Sequence, residues 1–449
     1  MKRLIFLIAM LMLIIPSAAF AQVSGKWRGE LNVGPAKLPL VFNFGRDEAG
    51  NAVATMDSPQ QNARDIPLDI LRLTPDSVSV ACKSLGATFS GRISGEKIEG
   101  TFAQMGYRFD LTLTPETDLA VRRPQTPRPP FPYAVKDTSF VSADGTLLAG
   151  TLTIPADMRP GHTPVAVMLT GSGPQNRDEE IFEHRPFAVI ADYLARNGVA
   201  TFRFDDRGVA SSQGDYSKAS IETLTADARS AFRFVKGLPG FGKTGLLGHS
   251  EGGTLAVMLA PDEKPDFIVS LAGMVVPAKE TLLAQNVHGL EQVGITGTPK
   301  VNSEKLISLV FDEVIRQYRS GISEPIDVDS ICKENSLEVL PAVAESIKRN
   351  LSARNGYFDS LLSLDPTEAL KQITCPLLAI NGTKDVQVGA DANLGAFAKY
   401  AAGAEIRKME GLNHLLQHAS TGEITEYGTI AETISPEVLA LLRAFLLRQ

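Results

Sequence analysis

The chain has 449 residues, 44 Lys or Arg against 51 Asp or Glu, and a formal net charge of −7; that length suits two or three separately cored units. The charges are scattered and no basic stripe is visible, which argues against nucleic-acid binding and favours small-molecule chemistry. Cys82, Cys332 and Cys375 are odd in number and widely spaced, so no disulfide framework is expected, and no metal-ligand spacing occurs among cysteines or histidines.

Taken in chain order, residues 1–21 read as a signal peptide. Lys2 and Arg3 precede an apolar run from Leu4 to Ile15, then Pro16 and a small-residue cleavage site, Ala19-Phe20-Ala21, before Gln22. The run is short for a bilayer span of about 20 residues, and no later stretch is long and apolar enough to cross. The expectation is an exported protein, periplasmic or secreted, with no stable membrane insertion after cleavage.

Residues 22–115 show short alternating runs separated by turn residues. Trp27 to Val33, Leu38 to Phe44, Val53 to Met56, Leu68 to Leu73, Ser77 to Ala81, Ala87 to Ile93, Lys97 to Phe102 and Phe109 to Leu113 all read as strands. They predict a small antiparallel β-sandwich or barrel that carries no catalytic cluster. From 116 to 133, Pro124, Pro127, Pro129, Pro130 and Pro132 mark a semi-rigid linker.

From 134 to 449 strands and helices alternate, which predicts a mostly parallel sheet covered on both faces. A hairpin, Thr138 to Val141 with Leu147 to Ile154, comes first. Strands are expected at Val165 to Leu169, Ala200 to Phe204, Gly245 to Leu247, Phe267 to Leu271, Leu377 to Ile380 and Ala404 to Lys408. Helices are expected at Phe187 to Arg196, Ile221 to Lys236 and Pro436 to Leu447. Between 277 and 364 the pattern is helical only, with Val301 to Tyr318 and Leu337 to Asn350 clearest. An insertion between two strands lies over their ends, where ligands bind in such folds, so this segment is expected to be a cap.

The densest chemical signal is Gly248-His249-Ser250-Glu251-Gly252 between an apolar run and a helix-compatible segment. Strand, tight turn and helix expose a serine hydroxyl at the end of a sheet, with glycines where the backbone must pass closely. A serine needs a base, and the base an orienting acid. Asp385 follows the strand Leu377 to Ile380, and His414 follows the strand ending near Lys408. Serine, acid and histidine thus fall in the chain order of an α/β hydrolase. Asp391 or Asp365 are alternative acids, and His418 an alternative base. His249 beside the serine reads as structural. An oxyanion needs two backbone donors: one is the N–H of Glu251, and the other comes from Thr170-Gly171-Ser172-Gly173-Pro174, with Ser172 preferred and Gly171 next.

Thr170-Gly171-Ser172-Gly173-Pro174-Gln175-Asn176-Arg177-Asp178-Glu179, Arg203-Phe204-Asp205-Asp206-Arg207-Gly208 and Gly248-His249-Ser250-Glu251-Gly252-Gly253 together resemble the EstD-type esterases of the serine-aminopeptidase-like α/β hydrolases. The likeness spans roughly Tyr133 to Gln449. Thr170 departs from the histidine common there. The resemblance implies an α/β-hydrolase fold with a helical cap and a carboxylic ester hydrolase acting on a small-molecule ester through Ser250, His414 and Asp385, with no metal or organic cofactor. A serine aminopeptidase or oligopeptidase with the same triad is the alternative, and a non-catalytic envelope or carbohydrate-binding protein a more distant one. The charges Arg177, Asp178, Asp205 and Arg207 read as ion pairs that hold the oxyanion loop.

Overall fold

A computed structural model describes residues 23–33, 36–47, 49–59, 63–104, 106–116 and 123–449. The expected signal peptide lies outside the described residues, as do 117–122 of the expected linker. The chain divides into two compact units, 1–117 and 118–449.

In the first unit eight antiparallel strands, β1 (Gly25–Val33), β2 (Ala36–Arg46), β3 (Ala52–Ser58), β4 (Ala63–Thr74), β5 (Ser77–Cys82), β6 (Ala87–Ser94), β7 (Lys97–Gln104) and β8 (Tyr107–Pro115), close into a barrel in sequence order. Of the two expected architectures the barrel is the one formed. Its seam joins β1 to β8 through Trp27 opposite Pro115 and Arg28 opposite Thr114, which leaves no open sheet edge. Strand alternation sends Leu31, Phe42, Val80, Phe89, Ile98 and Leu113 inward, each at most 2 % exposed, so side chains fill the interior.

The second unit is built on an eight-stranded sheet. Strands β9 (Ala134–Val141) and β10 (Leu147–Ile154) form the antiparallel edge hairpin. Strands β11 (Val165–Leu169), β12 (Ala200–Phe204), β13 (Thr244–His249), β14 (Ile268–Leu271), β15 (Leu377–Gly382) and β16 (Glu405–Met409) are parallel, in the order β16-β15-β14-β13-β11-β12-β10-β9. The order reverses at β11, with β12 on one side and β13 on the other, and ligand crevices open at such a reversal. The central strands β11 to β14 are buried along their whole length, as expected of a sheet covered on both faces. Helices α1 (Pro186–Ala195), α2 (Ile221–Lys236) and α3 (Glu251–Glu263) link successive strands.

Between β14 and β15 lie α4 (Ala278–Gln292), α5 (Gly297–Ser320), α6 (Val328–Glu334), α7 (Pro341–Ser352) and α8 (Gly356–Leu362). They carry their own apolar clusters, one around Phe311, Val314 and Leu362 and another around Leu306, Val310 and Val328. The helix expected from Leu337 begins instead at Pro341. Leu340, held at φ −59° and ψ 133°, shows why: a residue before proline is driven out of the helical region, while proline suits the first helical position. Past β15, α9 (Ala390–Tyr400) and the terminal α10 (Pro436–Leu446) complete the layers.

The described stretch 123–133 of the proline-rich segment is docked on the second unit rather than spanning open solvent. The Arg123 guanidinium, in a residue 3 % exposed, donates to the carbonyls of Phe182, Gly428 and Ile430 at 2.9, 2.8 and 3.0 Å. Gln125 Oε1 accepts from the N–H groups of Thr433 and Ile434, and its Nε2 donates to the Ile434 carbonyl. Proline content marks the backbone as stiff but does not say what it rests on. Because three carbonyls lose a charged donor together, Arg123→Ala should lower unfolding stability by about 2–4 kcal/mol. Urea denaturation of the two proteins checks this, and coincident midpoints would show that the strap contributes nothing.

Candidate active site

Ser250 sits between β13 and α3 at φ +51°, a left-handed conformation that a non-glycine residue adopts at a cost of order 1–3 kcal/mol. Its neighbours enforce it. A Cβ at Gly248 would lie 2.1 Å from the backbone of Gly252, and one at Gly252 would lie 2.0 Å from the Leu169 carbonyl oxygen. Only glycine fits either place, so α3 starts tight against the end of β11. The Ser250 N–H donates to the Leu271 carbonyl at 2.8 Å, which locks the turn to β14.

Asp385 and His414 reach Ser250 from the loops after β15 and β16. His414 Nε2 lies 3.0 Å from Ser250 Oγ, and His414 Nδ1 lies 2.8 Å from Asp385 Oδ2. Asp385 Oδ1 accepts from the N–H groups of Gln387 and Val388 at 2.9 and 2.8 Å, so one oxygen is fixed by backbone while the other faces the imidazole. This is the arrangement in which a carboxylate orients an imidazole that can take a serine proton. The alternatives lie elsewhere. His418 is exposed and bonded to Glu432 at 3.0 Å; Asp391 pairs with Lys408 at 2.6 Å, and Asp365 caps the N–H of Thr367.

A 430 Å³ cavity opens above the serine, lined by Ser172, Glu251, Met274, Leu282, Tyr357 and Val388 among others. Leu282 and Tyr357 come from α4 and α8, which places the inserted helices over this cavity. Of the three expected oxyanion donors, Gly171 is otherwise engaged: its N–H donates to Glu179 Oε1 at 2.7 Å. Glu251 is the first residue of α3 and has no residue four positions back within the helix to accept its N–H. Ser172 stands at the cavity wall beside it.

His249, expected to be structural, forms a buried pair with Glu179, a partner to which the sequence does not point. His249 Nε2 is 2.9 Å from the His414 carbonyl, which can only accept, and Nδ1 is 2.9 Å from Glu179 Oε1. Both ring nitrogens therefore act as donors. Burial works against the imidazolium, yet the Glu179 carboxylate outweighs it and raises the His249 pKa. The chain Gly171 N–H, Glu179, His249, His414 carbonyl thus ties the loop after β11 to the loop that carries the base. Glu179 closes the Thr170–Glu179 motif, eight residues beyond Gly171, and only the tertiary fold brings it to His249.

Of the four charges expected to hold the loop after β11, Arg177, Asp178 and Asp205 do so, while Arg207 turns instead to Asp227 of α2. Arg177 makes a two-pronged contact with Asp205 at 2.6 and 3.0 Å, Arg203 pairs with Asp178, and Arg207 grips Asp227 with two bonds of 2.7 Å. Asp206 is different. It faces Thr170 and the Gln175 N–H rather than a cation, and burial lifts its pKa to about 8. All three cysteines are free thiols. No group of three or more His, Cys, Asp or Glu among the described residues is placed to hold a metal ion, and no helix among them is long and apolar enough to cross a membrane.

Residues 183–419 match the family described as serine aminopeptidase, S33. Over 291 residues the chain is 26 % identical to Esterase EstD of Thermotoga maritima, covering 64 % of this chain and 62 % of that relative. Among solved structures, an esterase of Pyrococcus furiosus is 15 % identical over 70 % of this chain and 91 % of its own, at a TM-score of 0.45. Est1E of Butyrivibrio proteoclasticus is 15 % identical over 70 % of this chain and 98 % of its own, at a TM-score of 0.41. With the family match running over more than half of its length, the chain belongs to the S33 serine aminopeptidase family of α/β hydrolases.

Proposed function

We propose that the protein is a carboxylic ester hydrolase in which Ser250 is the nucleophile, His414 the base and Asp385 its orienting acid. The observation that carries this reading is the unbroken relay from Ser250 Oγ through His414 to Asp385, at 3.0 and 2.8 Å, opening on a cavity. In the proposed sequence the serine oxygen attacks the ester carbonyl as its proton passes to His414 Nε2. The tetrahedral oxyanion is held by the N–H groups of Ser172 and Glu251, at the positive end of α3. The tetrahedral species then collapses, the proton passes to the departing alkoxide, and water drawn in by the same imidazole hydrolyses the acyl-enzyme.

The same constellation could cleave amides, and one feature favours a neutral ester. An aminopeptidase must hold a free ammonium group, but the two carboxylates that line the cavity are each 3 % exposed and already bonded, Glu179 to His249 and Glu251 to Tyr357. Likeness to an esterase points the same way. A purified preparation should therefore turn over short p-nitrophenyl esters far faster than aminoacyl anilides. Ser250→Ala should reduce kcat by about 10⁴- to 10⁶-fold, His414→Ala should abolish turnover as well, and His418→Ala should leave it largely intact. Faster anilide turnover, or loss of activity with His418 rather than His414, would contradict the assignment.

The inserted helices suggest where the ester's apolar group goes. A second cavity of 360 Å³ lies among Ile307, Val310, Phe311, Val314, Leu351 and Phe358, and shares Leu282 and Tyr357 with the catalytic cavity. Extended acyl chains would gain from this apolar chamber and acetyl groups would not. Val310→Phe, which fills it, should lower kcat/KM for decanoyl esters about tenfold or more while sparing acetyl esters. A uniform fall across the chain-length series would place the acyl group elsewhere.

A further inference from the structure

The inserted helices meet the acid of the relay at one peptide unit. Gln285 of α4 donates from Nε2 to the Gln387 carbonyl at 2.8 Å. That carbonyl belongs to the unit joining Gln387 to Val388, whose N–H, on Val388, donates to Asp385 Oδ1 at 2.8 Å. One rigid plane thus holds α4 on its oxygen and the acid on its nitrogen. The preceding unit supplies the second donor to Asp385 Oδ1, the Gln387 N–H at 2.9 Å, and the Gln387 side chain donates from Nε2 to the Tyr427 hydroxyl at 3.0 Å. On the far side, the Val388 carbonyl accepts from Asn381 Nδ2 of β15 at 2.9 Å. A separate tie leaves α4 three residues on, where His288 Nε2 lies 2.8 Å from Glu423 Oε1.

We infer that Gln285 is a positioning residue, which sets the orientation of Asp385, and through it that of His414, by holding the Gln387–Val388 peptide. The inference rests on the hydrolase reading above. It makes α4 a support of the acid and not only a roof over the cavity.

The physical reason is a short path through planar groups. Three hydrogen bonds, Gln285 to the Gln387 carbonyl, Val388 N–H to Asp385 Oδ1, and Asp385 Oδ2 to His414 Nδ1, are joined only by one peptide and one carboxylate. A tilt of the peptide therefore turns the carboxylate whose other oxygen faces the imidazole. Hydrogen bonds in a chain also polarise one another, so a donor on the Gln387 carbonyl strengthens the Val388 N–H as a donor to Asp385. Gln285, Gln387 and Val388 all line the catalytic cavity. Without the Gln285 donor, the carbonyl is free to turn toward water there.

The test is a double-mutant cycle read in kcat and KM for p-nitrophenyl acetate. Gln285→Met keeps the length of the side chain and removes the donor; it should lower kcat about tenfold with KM little changed, as a misplaced reacting group does. In an Asp385→Ala background no carboxylate is left to orient, so adding Gln285→Met should cost nothing further. His288→Ala, which releases the other tie of α4, should match the wild type. Equal falls for Gln285→Met in both backgrounds, or the same fall with His288→Ala, would show that Gln285 only braces α4 and would overturn the inference. So would a Gln285→Met protein with the wild-type kcat. Phosphonate labelling of wild-type Ser250 keeps the two readings apart: a serine that never labels refutes the hydrolase assignment itself, and one that labels while the cycle is additive refutes only the role of Gln285.

Discussion

The site depends on one constraint, the close approach of the α3 start to the end of β11. With the Leu169 carbonyl oxygen only 2.0 Å from where a Gly252 Cβ would stand, and the Gly252 backbone 2.1 Å from where a Gly248 Cβ would stand, there is no room for a side chain at either glycine that brackets Ser250. Its backbone must then adopt φ +51°. The same tightness brings the start of α3, whose first N–H groups have no acceptor within the helix, against the end of β11. A larger residue at either glycine would push the helix away from β11, and Ser250 and the loop after β11 would separate with it.

A strained turn persists only where its surroundings over-determine it, and here the supports are electrostatic as well as steric. Glu179 gathers the Gly171 N–H and His249 on one oxygen, while His249 reaches the carbonyl of His414. The loops after β11 and β16 are thereby held through one buried ion pair, whose members would each be costly if left alone. Arg123 and His184 support the far side of that second loop region, His184 by bonding Thr433 Oγ1 and the Tyr427 carbonyl at 3.0 Å each. Burial, with the Arg123 charge adding to it, keeps His184 neutral by lowering its pKa to about 3. The strap is thus part of the scaffold around the loop that carries His414.

The fold and the three side chains that the structure brings together, Ser250, His414 and Asp385, were legible in the sequence because their signals are local. Strand periodicity gave all eight barrel strands, and the alternation of apolar runs with helices gave the parallel sheet. Ser250, Asp385 and His414 each sit in a loop after a recognisable strand, in an order that the fold dictates. What stayed hidden was non-local. Nothing near Glu179 points to His249, 70 residues away, nor does the sequence near Tyr357 point to Glu251. Gly171 ranked as an oxyanion donor because the loop is glycine-rich, and its engagement by Glu179 follows only from the folded loop. Whether the first unit would be a sandwich or a barrel depended on the pairing of β1 with β8, which alternation within strands cannot encode.

The most direct test of the account is to label the wild-type protein with an active-site phosphonate and locate the adduct by peptide mass spectrometry. The account predicts a single adduct on Ser250, at one equivalent per chain. An adduct on any other residue, or hydrolytic activity that survives full modification of Ser250, would contradict it.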